Sequence, residues 1–388
     1  MFKFNGMDKF KNILIMGSGG IGDTIFYTPA IRSIRENFPN AKIHLFFLGR
    51  GNIVFKKSRF IDKLIEAPKR EHWNKYKIAE KLSSYNFDLA IIFDRHPSFR
   101  YLAKESKVKS IWCVTDIDEE PMSESFNKMY NENLGNYIHI ARDRESDHLV
   151  KIPLDLIHEA GLIVNSNEIV MTISQEDEDF IDKLLEKNNV SESDLLIVFH
   201  PGATEINISI FRKFTKRLKF FLEGRVFHTL ETRIWPLKYY AELGNLLNKK
   251  YRAKIIITGD KYETSLAKKI SKLLNFNPII LSGKTTVWQL AALLKKVDLF
   301  VGGDTGPLHI AIAMKTPVIG IYGPTFISRT GPWGPESQFT VVKSTASCSP
   351  CKNTERDKTC TRAICMEQIS VKEVFSAVES QLRKSSKI

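Results

Sequence analysis

The sequence predicts an α/β protein made of two doubly wound halves, each a parallel sheet with helices on both faces. Three observations carry that expectation. Short apolar runs of strand length alternate with segments whose apolar residues recur at helical spacing, the order that gives a parallel sheet. The alternation starts afresh after an acidic, polar stretch at 174–193. Each half opens with a buried-strand pattern that runs into a glycine-containing loop, at 12–22 and again at 195–202. A chain of 388 residues, 43% of them hydrophobic, is long enough for two separate cores.

In the first half, residues 12–16 (NILIM) read as a buried strand. Gly17-Ser18-Gly19-Gly20-Ile21-Gly22-Asp23-Thr24 follows, and then a helical pattern to about 37 with Ile25, Ala30, Ile31 and Ile34 on one face. Gly17, Gly19 and Gly22 match the G-x-G-x-x-G dinucleotide fingerprint, which also requires an acidic residue at the end of the second strand to hold a ribose. The second strand, 42–49, ends instead at Gly49-Arg50. The glycines could equally clear space for a sugar, and Asp23 could act at the helix start or simply cap it. A third strand spans 87–94, and Arg95 to Arg100 form the loop at its carboxyl end, where open α/β sheets bind ligands. Arg95 and Arg100 there could meet an anionic acceptor or stand as solvated loop charges. Residues 108–114 continue the sheet, 116–147 are polar and loop-like, and 149–160 form a helix ending at Gly161.

The second half begins with a strand at 195–199 and a loop from His200 through Gly202 to Thr204. Strands follow at 254–258, ending in Gly259-Asp260, and at 278–281, ending in Ser282-Gly283-Lys284-Thr285-Thr286. Thr286 is placed to cap a helix over 287–294. The strand at 298–301 then runs into Gly302-Gly303-Asp304-Thr305-Gly306-Pro307, with Pro307 in the first helical turn, where its missing N–H costs nothing. A helix start of this kind is a ready anion site, because its backbone N–H groups and the positive end of its dipole converge. A last strand at 317–322 ends in Gly323-Pro324-Thr325, and 370–382 reads as an amphipathic helix. The expected domains are 1–185, 194–345, and a segment 346–388 whose helix returns toward the first domain.

Charge and cysteines narrow the class. Lys and Arg outnumber Asp and Glu by 57 to 44, a net +13 that suits anionic partners or a solvated basic surface. The N-terminus reads without a signal peptide and no apolar run reaches 18 residues, so the expectation is a cytoplasmic protein. Cys348, Cys351, Cys360 and Cys365 fall within 18 residues, a spacing that could hold a structural zinc or, in an oxidising compartment, two disulfides. Cys113 lies in an apolar strand and reads as core.

Asp304-Thr305-Gly306-Pro307-Leu308-His309 with Tyr322-Gly323-Pro324-Thr325 resembles the sugar-nucleotide half of glycosyltransferase family 9, which contains the ADP-heptose:lipopolysaccharide heptosyltransferases. Gly22-Asp23 followed by Pro29, His200-Pro201-Gly202-Ala203, and Arg233-Ile234-Trp235-Pro236 resemble three further motifs of that family, in the same order. The resemblance implies the GT-B architecture, two Rossmann-like domains facing across a cleft. It also implies inverting, metal-independent transfer of a heptose-type sugar from ADP-heptose to a lipopolysaccharide core or related lipid-linked saccharide. No cofactor is then needed for catalysis, and nucleic acid is not a partner.

Such transfer is one displacement at the anomeric carbon. It needs a base for the acceptor hydroxyl and positive charge on the leaving diphosphate. The resemblance assigns the base to Asp23 and the charge to Arg233. It places donor binding at His200, Gly202, Lys284, Thr285, Asp304, Thr305, Gly306 and His309; for the acceptor the candidates are Gly22 and, from their place at a strand's carboxyl end, Arg95 and Arg100. Asp304 could hold a sugar hydroxyl or cap its helix, and His309 could face the cleft or the core. About 28 residues, 205–232, separate the second and third motifs where the family has few. Within them 210–222 reads as a basic amphipathic helix, suited to an anionic membrane surface or to packing on the second domain. The rival functions are an NAD-dependent oxidoreductase using Gly17–Gly22 and a non-catalytic sugar-nucleotide-binding protein.

Overall fold

The computed structural model describes residues 10–67, 74–116, 137–142, 147–202, 232–352 and 354–388. The chain divides into two units, Met1–Thr172 and Ile173–Ile388. The 210–222 segment, Ala203 and Thr204 lie outside the described residues.

The first unit holds β1 (Asn12–Ser18), β2 (Lys42–Leu48), β3 (Lys63–Glu66), β4 (Leu89–Ile92), β5 (Ser110–Asp116) and β6 (Tyr137–Arg142). They form one parallel sheet in the order β3-β2-β1-β4-β5-β6. Ile13, Leu14, Ile15 and Met16 of β1 are wholly buried, because helices cover both faces and a central parallel strand is then apolar throughout. β6 corrects the loop-like reading of 116–147. The order reverses between β1 and β4, and the carboxyl ends of those two strands flank the switch point where such sheets bind ligands.

The second unit repeats the design with β7 (Leu196–His200), β8 (Lys254–Ile257), β9 (Ile279–Ile280), β10 (Leu299–Gly303), β11 (Val318–Tyr322) and β12 (Phe339–Lys343). All are parallel, in the order β12-β11-β10-β7-β8-β9. The switch point lies between β7 and β10, whose register sets Gly302 beside His200.

Two segments fall differently from the expected domain limits. The acidic helix Gln175–Lys187 turns Ile181 and Leu185 inward. Glu178 pairs with Lys295 at 2.6 Å and Asp182 with Lys296 at 2.7 Å, which joins it to the helix Val287–Lys296. It therefore belongs to the second unit, and the division falls at 172–173 rather than after 185. The C-terminal helix Val371–Lys384 starts with a capping box, Ser370 and Glu373 each accepting from the other's backbone N–H. Its apolar face, Val371, Val374, Val378 and Leu382, is buried in the second unit's own core with Leu243, Leu247 and Ile319. No described helix is long and apolar enough to cross a membrane.

Candidate functional site

In the second unit the polar residues gather at the carboxyl ends of β7, β8 and β10. His200 closes β7, buried to 5% exposure, with Nδ1 3.1 Å from the Thr258 hydroxyl. Its Nε2 lies 3.9 Å from the Glu263 carboxylate. The Thr258 hydroxyl also lies 3.3 Å from the Phe199 C=O, so the imidazole is enclosed by polar groups on both of its nitrogens. Burial pulls the imidazole down to about 4 against the opposing pull of Asp260, so His200 is neutral at pH 7.

Glu263 is itself buried, and it accepts the Asp260 N–H at 2.8 Å. Gly202 is what admits it: a Cβ there would lie 2.1 Å from Glu263 Oε1. The next turn is tied to this loop by Gly283 N–H donating to Gly259 C=O at 2.9 Å. On that turn Lys284 is exposed and Thr285 half-buried.

At the end of β10 the chain passes through Gly302-Gly303 into the helix Gly306–Ala313, with Thr305 as N-cap residue. Leu308 to Ala313 are all buried, so this helix is held on every side and its N-terminus is fixed. Arg233 lies over the glycines: its carbonyl oxygen would be 3.1 Å from a Cβ on Gly303, and its Nη1 donates to the Asp304 C=O at 3.3 Å. The motif after it acts as an anchor. Trp235 is 1% exposed and donates Nε1–H to Ile369 C=O at 2.9 Å, and Tyr240 donates to His200 C=O at 3.4 Å. Arg233 is therefore brought to Asp304 despite the long stretch that precedes it.

The Asp304 carboxylate turns to side chains rather than to its helix. Oδ1 lies 3.4 Å from His309 Nε2, and Oδ2 accepts the Thr330 hydroxyl at 2.8 Å. His309 is 3% exposed and so takes the core position of the two considered, yet it reaches the site through Asp304. Burial, reinforced by the Asp304 charge, raises the Tyr322 phenol well above its ordinary range. This part of the site combines one arginine, one helix start and a carboxylate turned aside, an arrangement that can hold a diphosphate without setting it against Asp304.

In the first unit Asp23 is half-buried in the five-residue helix Ile21–Ile25. Its Oδ2 accepts the Gly20 N–H at 2.9 Å, so it does cap the helix. Oδ1 has no hydrogen-bond partner among the described residues, and one carboxylate oxygen is thus fixed while the other is available to a ligand. Gly22 sits beside it. Across the switch point Ser18 donates to Asp94, whose Oδ1 accepts the His96 N–H at 2.8 Å. Arg100 is no solvated loop charge. It lies in the helix Pro97–Glu105 at 4% exposure and donates to Arg95 C=O at 3.0 Å, while Arg95 is half-buried.

The Gly17–Gly22 loop is packed by its own chain. After β2 the backbone turns at Gly49, φ 93°, into the 3-10 helix Arg50–Phe55. Gly19 N–H donates to Leu48 C=O and Gly51 N–H to Gly19 C=O, both at 3.1 Å. A Cβ on Gly51 would lie 1.7 Å from Thr24 Oγ1 and 2.5 Å from Gly20 O. Where the dinucleotide fingerprint needs an acid for the ribose, the chain has Gly49-Arg50 folded onto the loop. The glycines serve that contact, and the oxidoreductase reading finds no support.

The four clustered cysteines are all free thiols. Among the described residues no group of three or more His, Cys, Asp or Glu side chains could hold a metal ion, so the expected zinc site at Cys348, Cys351, Cys360 and Cys365 is not supported. Cys351 and Cys365 pack inward instead, at 7% and 4% exposure. Burial, with the neighbouring thiols, raises both, Cys365 to about 11. Cys113 is core, as expected.

Sequence reasoning missed Glu263, Thr258 and Thr330. The one signal for Glu263 was its place three residues after the strand-end Asp260; nothing in the sequence marked Thr330.

Two doubly wound parallel sheets, each with polar groups at the strand ends beside its switch point, define a two-domain α/β protein of the ligand-binding kind. The model of glycosyltransferase family 9 (heptosyltransferase) matches residues 113–361, and the chain belongs to that family. Among curated relatives, the lipopolysaccharide core heptosyltransferase OpsX of Haemophilus influenzae is 39% identical over 26% of this chain and 29% of its own length. Lipooligosaccharide heptosyltransferase 2 of Campylobacter jejuni is 30% identical over 39% of this chain and 47% of its own. The chain thus spans less than half the length of either. Lipopolysaccharide heptosyltransferase 3 of Escherichia coli is 22% identical over 80% of this chain and 83% of its own. Solved structures share the fold: a family 9 glycosyl transferase from Veillonella parvula has TM-score 0.75 at 18% identity, covering 96% of this chain and 98% of that one. For the E. coli ADP-heptose lps heptosyltransferase II the TM-score is 0.68 at 16% identity, covering 97% and 99%. The architecture is GT-B.

Proposed function

We propose that this protein is an inverting heptosyltransferase that moves a heptose from ADP-heptose to a lipopolysaccharide core or related lipid-linked saccharide, without a catalytic metal. The observation that carries the reading is Arg233 held on the Asp304 carbonyl beside the start of the helix Gly306–Ala313. Family membership supports it, as do the names of the relatives. The basic segment 210–222 supports an anionic, lipid-linked acceptor at a membrane surface.

The chemistry follows from the charges. Asp23 takes the proton of an acceptor hydroxyl as that oxygen attacks the anomeric carbon. The carbon–oxygen bond to the diphosphate breaks as the new glycosidic bond forms, and configuration inverts. Negative charge grows on the departing ADP, where Arg233 and the backbone donors at Thr305 and Gly306 meet it. Gly202, His200, Lys284 and Thr285 belong to the nucleoside end of the donor. Gly22, Arg95 and Arg100 belong to the acceptor side.

The test is calorimetric titration and transfer assay in EDTA. Wild-type protein is expected to bind ADP-heptose and ADP but not NAD. Asp23→Ala is expected to abolish transfer while keeping donor affinity. Near-wild-type turnover by that variant removes Asp23 as the base; NAD binding without a response to ADP-heptose removes the whole reading. Deleting 207–222 with anionic-liposome binding unchanged removes the membrane part.

A further inference from the structure

We propose that Thr330 is a positioning residue for the transfer: its hydroxyl fixes the Asp304 carboxylate and, through Asp304, the Arg233 guanidinium. The inference rests on the heptosyltransferase reading. A buried carboxylate beside an anion site repels the anion unless it is turned aside and its oxygens are satisfied. Asp304 has that problem at 8% exposure, directly before the helix start.

Two side chains hold it. The contact from His309 is long, 3.4 Å, whereas the bond from Thr330 is 2.8 Å. The alternative acceptor for the Thr330 hydroxyl, Phe326 C=O, lies at 3.4 Å, so its single proton goes to Asp304. Thr330 is itself fixed at both ends. It closes the short helix Ile327–Thr330, with its N–H on Phe326 C=O at 3.1 Å. Its carbonyl accepts the Tyr322 hydroxyl at 3.0 Å, which ties it to the end of β11. The main-chain oxygen of Asp304 is in turn the acceptor for Arg233 Nη1 at 3.3 Å. A line of hydrogen bonds therefore runs from the β11 end through Thr330 and Asp304 to the arginine. Freed from Thr330, the carboxylate can swing toward the helix start and draw Arg233 off the diphosphate.

The experiment compares wild type, Thr330→Val, which keeps the shape and removes the hydroxyl, and Thr330→Ser, which keeps it. Expected for Thr330→Val is a kcat lower by about tenfold, the scale of a lost hydrogen bond to a charged group. ADP affinity falls by a smaller factor than kcat, since the swung carboxylate faces the ground-state diphosphate as well but the charge that Arg233 meets is greatest in the transition state. Thr330→Ser restores kcat and the wild-type melting point, while Thr330→Val melts a few degrees lower because one buried carboxylate oxygen loses its partner. A Thr330→Val enzyme with wild-type kcat overturns the inference, as does Thr330→Ser being equally impaired or a loss confined to ADP affinity. If wild-type protein transfers no heptose, the functional reading has failed. The Thr330 claim is then decided by crystal structures of the two variants: a rotated Asp304 and displaced Arg233 in Thr330→Val alone uphold it, and an unmoved pair ends it.

Discussion

Acidification offers a clean test of how His200 is built into the second unit. The imidazole is buried and neutral, brought down from 6.5 to about 4 chiefly by desolvation. In the unfolded chain it takes a proton as the pH falls through 6.5, while in the folded protein it does so only near 4. Between those values the unfolded state binds more protons, so stability rises with pH there and is lost on acidification. The gap corresponds to about 3 kcal/mol at 1.36 kcal/mol per pH unit, most of it lost by pH 4.5. Stopping at pH 4.5 leaves most ordinary carboxylates ionised in both states. The measurement is urea unfolding of wild type and His200→Gln between pH 7.5 and 4.5, with every other titrating group common to both. The stability difference between the two should shrink by about 2–3 kcal/mol over that range. A difference constant to about 0.5 kcal/mol would mean that His200 titrates normally in the fold, and the neutral-imidazole geometry with Thr258 and Glu263 would be wrong.

Two further outcomes are expected. Gly51→Ala sets a methyl 1.7 Å from Thr24 Oγ1 and 2.5 Å from the Gly20 carbonyl, so the 3-10 helix must lift and its bond to Gly19 lengthen. Overpacking and one lost hydrogen bond together cost about 2–4 kcal/mol, and calorimetry should find the first unit melting on the order of 5–15 °C lower. A shift under about 1 °C would show that the loop is not packed as described. For the thiols, Cys365 raised to about 11 from 9.0 leaves about a hundredfold less thiolate at pH 8 than an ordinary cysteine. Mass-spectrometric alkylation in the native state should label it at least that much more slowly than in urea, and equal rates would contradict its burial.

What could be read from the sequence was set by where each residue's partners lie. β1, β7 and β10 were legible because central parallel strands are buried on both faces and appear as unbroken apolar runs. β3 and β12 are sheet edges, β12 only half-buried along its length, and their mixed sequences carry no such run. The helix caps at Thr286 and Ser370 were local, three residues from their partners, and the one at Thr286 was read directly. Arg233 was found by its Trp-Pro neighbour, whose anchor on Ile369 lies 134 residues away yet keeps its own signature.

Glu263 and Thr330 had no such mark, for the same reason in each case. Apart from Asp260 beside Glu263, the groups that give them a role lie far off in the sequence. Glu263 matters because Gly202, on another strand, leaves room for its carboxylate, and Thr330 because Asp304 turns toward it. The dinucleotide fingerprint fails by the converse route. Gly17, Gly19 and Gly22 satisfy a local pattern, but its meaning depends on the end of β2, where the chain supplies Gly49, Arg50 and Gly51 and folds them onto the loop. A motif thus reports that backbone comes close at some point; which backbone or ligand fills the space is decided by residues that the motif does not contain.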